Sequence, residues 1–166
     1  MSATSPTPTR SRVLPIAWVL LLLLGLFFLI APAADLAGDA RQGLPTDHQT
    51  TFTKVAGTSF ASVRQSVPGT ARYVTLLERG YALHELTFGL LFLAIVAVPF
   101  RRRERWAWWA CWAVMVANLG YTLTFGRHDQ TVLWRSLIGD VALPVLLLVT
   151  IPAFFFHPRE AARAAS

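Results

Sequence analysis

The sequence predicts an all-α protein: a four-helix transmembrane bundle with short extracytoplasmic helices between spans one and two. Three observations carry this. Apolar stretches at 13–34, 81–100, 106–125 and 137–156 each reach the roughly 20 residues a helix needs to cross a ~30 Å hydrocarbon core. The 166 residues are 54% hydrophobic and only 14% charged, a composition that aggregates in water and is solvated in lipid. The arginines gather at the ends of the apolar stretches, as residues that orient a membrane protein do. The implied partner is the lipid bilayer, and the net charge of +6 marks orientation rather than nucleic-acid binding.

The chain divides into a cytoplasmic tail (1–12), a membrane domain (13–156) and a second cytoplasmic tail (157–166). Arg10 and Arg12 precede span one, Arg101, Arg102, Arg103 and Arg105 fill the turn between spans two and three, and Arg159 and Arg163 follow span four. The long loop 35–80 is nearly balanced in charge. The positive-inside rule therefore places both termini and the arginine turn in the cytoplasm, in a multi-pass protein of the cytoplasmic membrane. A second reading exists for span one: Arg10, Arg12, an apolar run and Ala31-Pro32-Ala33 also have the form of a cleavable signal peptide. The run is longer than the usual signal core, which favours a retained span.

The elements follow in order. Span one is a leucine-rich helix with Pro15 near its start, where a missing N–H costs little. In the external loop, Asp47 is the expected N-cap of a turn carrying Phe52 and Val55, Gly57 its terminator, and Thr58 or Ser59 the next cap. Phe60, Val63 and Val67 recur at helical spacing. The 68–70 triplet Pro-Gly-Thr breaks the chain, and the pattern Tyr73, Leu76, Leu77, Tyr81, His84 continues as helix into span two. These amphipathic pieces need an apolar partner and are expected to cover the outer end of the bundle as a lid. Span three opens with Trp106, Trp108, Trp109 and Trp112 beside the arginine turn, the pattern of an interfacial aromatic belt. Pro144 is expected to kink span four.

Polar residues in the spans converge at one depth. His84 and Glu85 lie about one turn into span two from the outside, and Asp140 about one turn into span four. Asn118 and Tyr121 share a stripe in the outer half of span three. Ionisable groups within a span cost free energy and point to function. The pattern fits a wet outer pocket above a dry inner plug. It also fits a structural role, with Glu85 or Asp140 pairing Arg79 or Arg135 at the interface. His48, His128 and His157 read as solvated loop or tail residues. No metal site is expected, because no two histidines have ligand spacing, and no cofactor, because His84 is alone within a span. Cys111 is the one cysteine, which excludes an intrachain disulfide and a paired-cysteine redox centre.

The run Pro99-Phe100-Arg101-Arg102-Arg103-Glu104-Arg105-Trp106-Ala107-Trp108-Trp109 resembles the R-R-G-E-R/K-W-A-W turn of four-span bacterial membrane proteins, including the broad DoxX-like group. Val55-Ala56-Gly57-Thr58-Ser59-Phe60 is also similar to a loop helix in those proteins. The resemblance implies a four-helix architecture and a bacterial source. This sequence carries Arg103 where glycine is common. Several DoxX-like proteins are linked to respiratory or thiol-redox complexes, but without matching cysteines or haem ligands no functional residue carries over.

Three functional readings follow. The first is a non-enzymatic accessory subunit that contacts another membrane protein or a second copy of itself through small residues and its lid. The second is a binder or enzyme for a lipid or quinone-like ligand held among His84, Glu85, Asn118, Tyr121 and Asp140, with a carboxylate as proton acceptor and Tyr121 orienting the ligand. The third is a small proton-coupled exporter, against which the position of both carboxylates near the outer face counts. Geometry separates the first two: side chains converging on one cavity favour a ligand.

Overall fold

The computed structural model describes residues 13–156; both expected tails lie outside that range, His157 included. Six α-helices follow one another: α1 (Val13–Gln42), α2 (Thr46–Ala56), α3 (Phe60–Ser66), α4 (Pro68–Ile95), α5 (Arg105–Tyr121) and α6 (Gln130–Phe155). No strand occurs among the described residues. Helix α4 runs on through a π-helical turn at Val96–Phe100, and α5 through another at Thr122–Gly126. Three helices are long and apolar enough to cross a membrane: α1, α4 with its π-turn, and α6. Helix α5 alone has 17 residues.

The helices outrun the apolar stretches. Helix α1 continues eight residues past the expected end of span one, carrying Asp35 and Asp39 in helix rather than loop. Helix α6 begins at Gln130, so only 127–129 connect it to the π-turn of α5. Apolar composition marks where lipid begins, whereas a helix ends where capping or packing ends it. At the start of α6 that is Asp129, whose Oδ1 accepts from the amides of Thr131 (2.7 Å) and Val132 (3.3 Å). Burial of Asp129 opposes ionisation, but these amides and Lys54 outweigh it and hold its carboxyl below the usual range. Helix α6 passes through Pro144 and Pro152 as one helix.

Long helices α1, α4, α5 and α6 share one apolar core, built on Leu21, Phe92, Val96, Cys111, Leu143 and Leu147. The core sits toward the end where the chain turns through 101–104. Glycines fix how closely α1 and α4 meet there. A Cβ on Gly89 would fall 2.6 Å from the Phe28 carbonyl oxygen, and one on Gly25 would fall 2.5 Å from Leu93. At Gly89 the neighbour is backbone, so only glycine permits that approach. Trp18 donates to the Val96 carbonyl at 2.9 Å, Arg101 lies over the Trp18 ring, and Arg105 bonds the Phe154 carbonyl. The start of α1, the arginine turn and the end of α6 thus lie together.

The turn itself closes on Arg103, at φ 61°. Its amide reaches the Phe100 carbonyl (2.9 Å) and the Glu104 amide reaches Pro99 (3.0 Å), as in a Schellman stop. Position 103, where the resemblance implies glycine, is a left-handed position occupied here by arginine. Among the tryptophans, Trp106 and Trp109 are exposed, but Trp108 is not. It lies in the core and donates to the Leu147 carbonyl at 3.0 Å. Its expected place in the interfacial belt is corrected: on helix α5 positions 108 and 111 face inward while 106 and 109 face out.

At the opposite end a second small core, Leu44, Phe60 and Ala71 with Phe52, joins α2 and α3 to α4. Gly57 terminates α2 in the left-handed conformation, and Ser59 caps α3 through the Ser62 amide. Asp47 does not cap α2: the cap position is Pro45, and Asp47 lies in the first turn, free to pair with Arg135 at 2.9 Å. Residues 68–70 form the first turn of α4, with Pro68 at the position that needs no N–H.

Candidate functional site

Above the apolar core, toward α2, the bundle opens. A cavity of about 400 Å³ lies between α1, α4 and α5, within the range of small-molecule sites. Its walls are mainly apolar and aromatic. Phe28 comes from α1, Tyr81 and Phe88 from α4, and Tyr121 and Phe125 from α5 and its π-turn. Tyr81 and Tyr121 stack with ring centroids 6.0 Å apart and planes at 14°. Gly120 borders the cavity with nothing within 4 Å of where its Cβ would be.

Four of the five residues expected at the site line this cavity: His84, Glu85, Asn118 and Tyr121. They do so unequally. Glu85 is half-buried and accepts from the Tyr81 hydroxyl at 2.6 Å; it pairs with neither Arg79 nor Arg135, because Arg135 is engaged by Asp47. His84 is exposed, on the rim, with Nδ1 2.6 Å from the Gly80 carbonyl of its own helix. Residues 84 and 85 are adjacent, so about 100° separates them and one faces inward more fully than the other.

Asp140 is the exception: it does not line the cavity. It stands on α6 behind Asn118, whose Nδ2 donates to Asp140 Oδ1 at 2.6 Å. Asp140 Oδ2 is buried with no protein donor. The same amide lies 3.4 Å from the Ser136 carbonyl, and Gly139 leaves the space for it. Asp140 thus orients a cavity residue without lining the cavity.

Sequence reasoning missed His48. Read as a solvated loop residue, it is buried on α2. Nδ1 lies 2.7 Å from Glu78 Oε2, the ring stacks on Phe125 at 6.0 Å, and Nε2 lies 3.5 Å from the Tyr121 hydroxyl. Burial alone would lower its pKa; the bond to Glu78 and the nearby carboxylates of Glu78, Asp47 and Asp35 instead push it up to about 9. At neutral pH it is an imidazolium, donating from both nitrogens. The signal was present in the sequence, since His48, Thr51, Phe52 and Val55 fall on one helical face.

The chain matches no family model, no curated protein and no solved structure. Function therefore rests on the site itself.

A second cavity of about 320 Å³ lies between α1, α2 and α6. Phe28, Ala31, Glu85, Asn118 and Tyr121 border both cavities, which makes them two compartments sharing a wall. The second adds Asp35, Asp47, His48 and Arg135. One compartment is aromatic and the other charged, with Glu85 between them.

Proposed function

We propose that this chain is a multi-pass protein of the cytoplasmic membrane that holds an amphiphilic small molecule, of the lipid or quinone-like class, in its outer cavity. In this reading four helices span, α5 crossing together with its π-turn. Both termini and the 101–104 arginine turn face the cytoplasm, following the arginine distribution. The large apolar side chains left exposed on every long helix, Leu23, Leu91, Val116 and Ile138 among them, face lipid.

The single observation that carries the binding role is the meeting of His84, Glu85, Asn118 and Tyr121 around one cavity of about 400 Å³. An inter-helix hydrogen-bonding role would consume these groups against one another; here Asn118 bonds α6 and Tyr121 lies 3.5 Å from His48 on α2, while Glu85 and His84 bond only within α4. The reading favours a ligand over the purely accessory role, and it assigns binding without a reaction. The test is mass spectrometry of small molecules that co-purify in nanodiscs, comparing the wild type with Gly120→Leu, which fills open space at the cavity wall. A specific amphiphile present in the first and lost in the second supports the reading. Identical bulk phospholipid in both overturns it.

A further inference from the structure

The charges around the paired cavities narrow the ligand further, an inference that rests on the binding role proposed above. Three acidic side chains (Asp35, Asp47 and Glu85) and two cationic ones (His48 and Arg135) border the charged compartment, and Glu78 stands behind His48. Asp47 is held by Arg135 at 2.9 Å, and Glu78 by His48 at 2.7 Å. Both cations are held in those pairs, and His48 acts on Asp35 and Glu85 only through space. The two remaining carboxyl groups, Asp35 on α1 and Glu85 on α4, both border the charged compartment. Among the described residues no cationic side chain pairs with either. Asp35 makes no side-chain hydrogen bond, and Glu85 accepts one bond, at Oε1 from Tyr81. Glu85 Oε2 is left with no protein donor.

Beside Glu85, the aromatic compartment presents ring faces. Tyr81 and Tyr121 stack on one another, and Phe125 sits 5.1 Å from Tyr121 and 6.3 Å from Tyr81. Carboxyl groups without an ion-pair partner in a largely apolar enclosure favour a positive charge, and aromatic faces within reach add to that preference. An anionic or phosphate head would meet the opposite: the two cations are already engaged by Asp47 and Glu78.

We propose that the paired cavities bind an organic cation with an apolar tail, the amine or quaternary ammonium seated between Asp35 and Glu85 and the tail among Phe28, Phe88 and the two tyrosines. The cation supplies the charge that the protein withholds from these two carboxyl groups. The tail replaces lipid contacts in the aromatic compartment.

The experiment measures binding to the protein in nanodiscs by native mass spectrometry, with dodecyltrimethylammonium as probe and dodecanol as its uncharged counterpart. The wild type is expected to bind the ammonium at least tenfold more tightly than the alcohol. The variant Asp35→Asn/Glu85→Gln is expected to bind both alike, at the level of the alcohol. Gly120→Leu is expected to weaken both. Equal binding of the two probes by the wild type, or a preference that survives in the acid-to-amide variant, overturns the cation assignment while leaving the cavity as a binding site. Failure of the wild type to bind either probe above Gly120→Leu overturns both readings. A circular-dichroism melt of each variant separates lost binding from lost fold; if the double variant unfolds, Glu85→Gln alone serves, because glutamine keeps an acceptor for the Tyr81 hydroxyl.

Discussion

His48 on α2 and Glu78 on α4 form an ion pair at 2.7 Å, and it ties the short helix α2 to the body of the bundle. Two further pairs hold the same helix, Asp47 with Arg135 and Lys54 with Asp129. Apolar contact at this end is limited to the small core around Leu44 and Phe60. Polar pairs thus position the cover of the cavity, and the most buried of them contains a titratable ring.

The position of His48 sets a pH dependence. Its folded pKa, about 9, lies above the ordinary histidine value of 6.5. A raised folded pKa contributes stability that is complete below the unfolded value and is lost as pH rises through the folded one. The contribution is at most about 3 kcal/mol by the usual conversion. The protection factors of the α2 amides, exchange corrected for its base-catalysed intrinsic rate, are therefore expected to be highest below pH 6.5 and to fall as pH rises from 6.5 to about 9. In Glu78→Gln that step should be reduced and moved to lower pH. Unchanged α2 protection factors across the range would remove the pair from its anchoring role.

The Asn118–Asp140 bond at 2.6 Å makes Asp140 a positioning residue. Asp140→Ala is expected to lower thermal stability in detergent by about 1–3 kcal/mol, because it strands the Asn118 amide. Asp140→Asn, with its oxygen facing Asn118, should recover most of this. A larger effect of either substitution on ligand retention than Glu85→Gln produces would place Asp140 at the cavity after all.

Gly89 sets the approach of α1 to α4. Gly89→Ala places a methyl group 2.6 Å from the Phe28 carbonyl oxygen, a clash with backbone rather than with a side chain that can rotate. Destabilisation of about 1–3 kcal/mol is expected, read as a lowered unfolding midpoint. Gly69→Ala, which meets nothing within 4 Å, is the control and should be near neutral or mildly stabilising.

Arg103 holds a left-handed conformation at φ 61°. Arg103→Gly is expected to stabilise the turn by about 1 kcal/mol, since the side chain imposes roughly that cost in this region and its guanidinium is exposed. A melting point that falls instead would mean that Arg103 contributes more through the membrane surface than it costs in backbone strain.

Much of the site's depth was legible in the sequence, but its partners were not. Helical spacing put Asn118 and Tyr121 on one stripe and placed them level with Glu85, because position along a helix translates directly into height. It could not say that Asp140, at the same height, faces Asn118 rather than the cavity. Nor could it bring His48 to within hydrogen-bonding distance of Tyr121, 73 positions away. The tryptophans show the same limit. Composition put Trp106, Trp108 and Trp109 beside the arginines, and only the packing of α5 on α6 took Trp108 into the core.

The sequence by itself determined the all-α class, the apolar helices, the turn residues Gly57 and Ser59, and the gathering of polar groups toward one end. These are local properties, governed by hydrophobic periodicity, capping and the cost of burying charge. The tertiary structure alone decided which polar groups share a cavity and which carboxyl groups go without a cation. Rotation of each helix about its own axis settles both. That rotation is set by contacts between distant segments, such as Gly89 against Phe28 and His48 against Glu78, and it leaves no period in the chain.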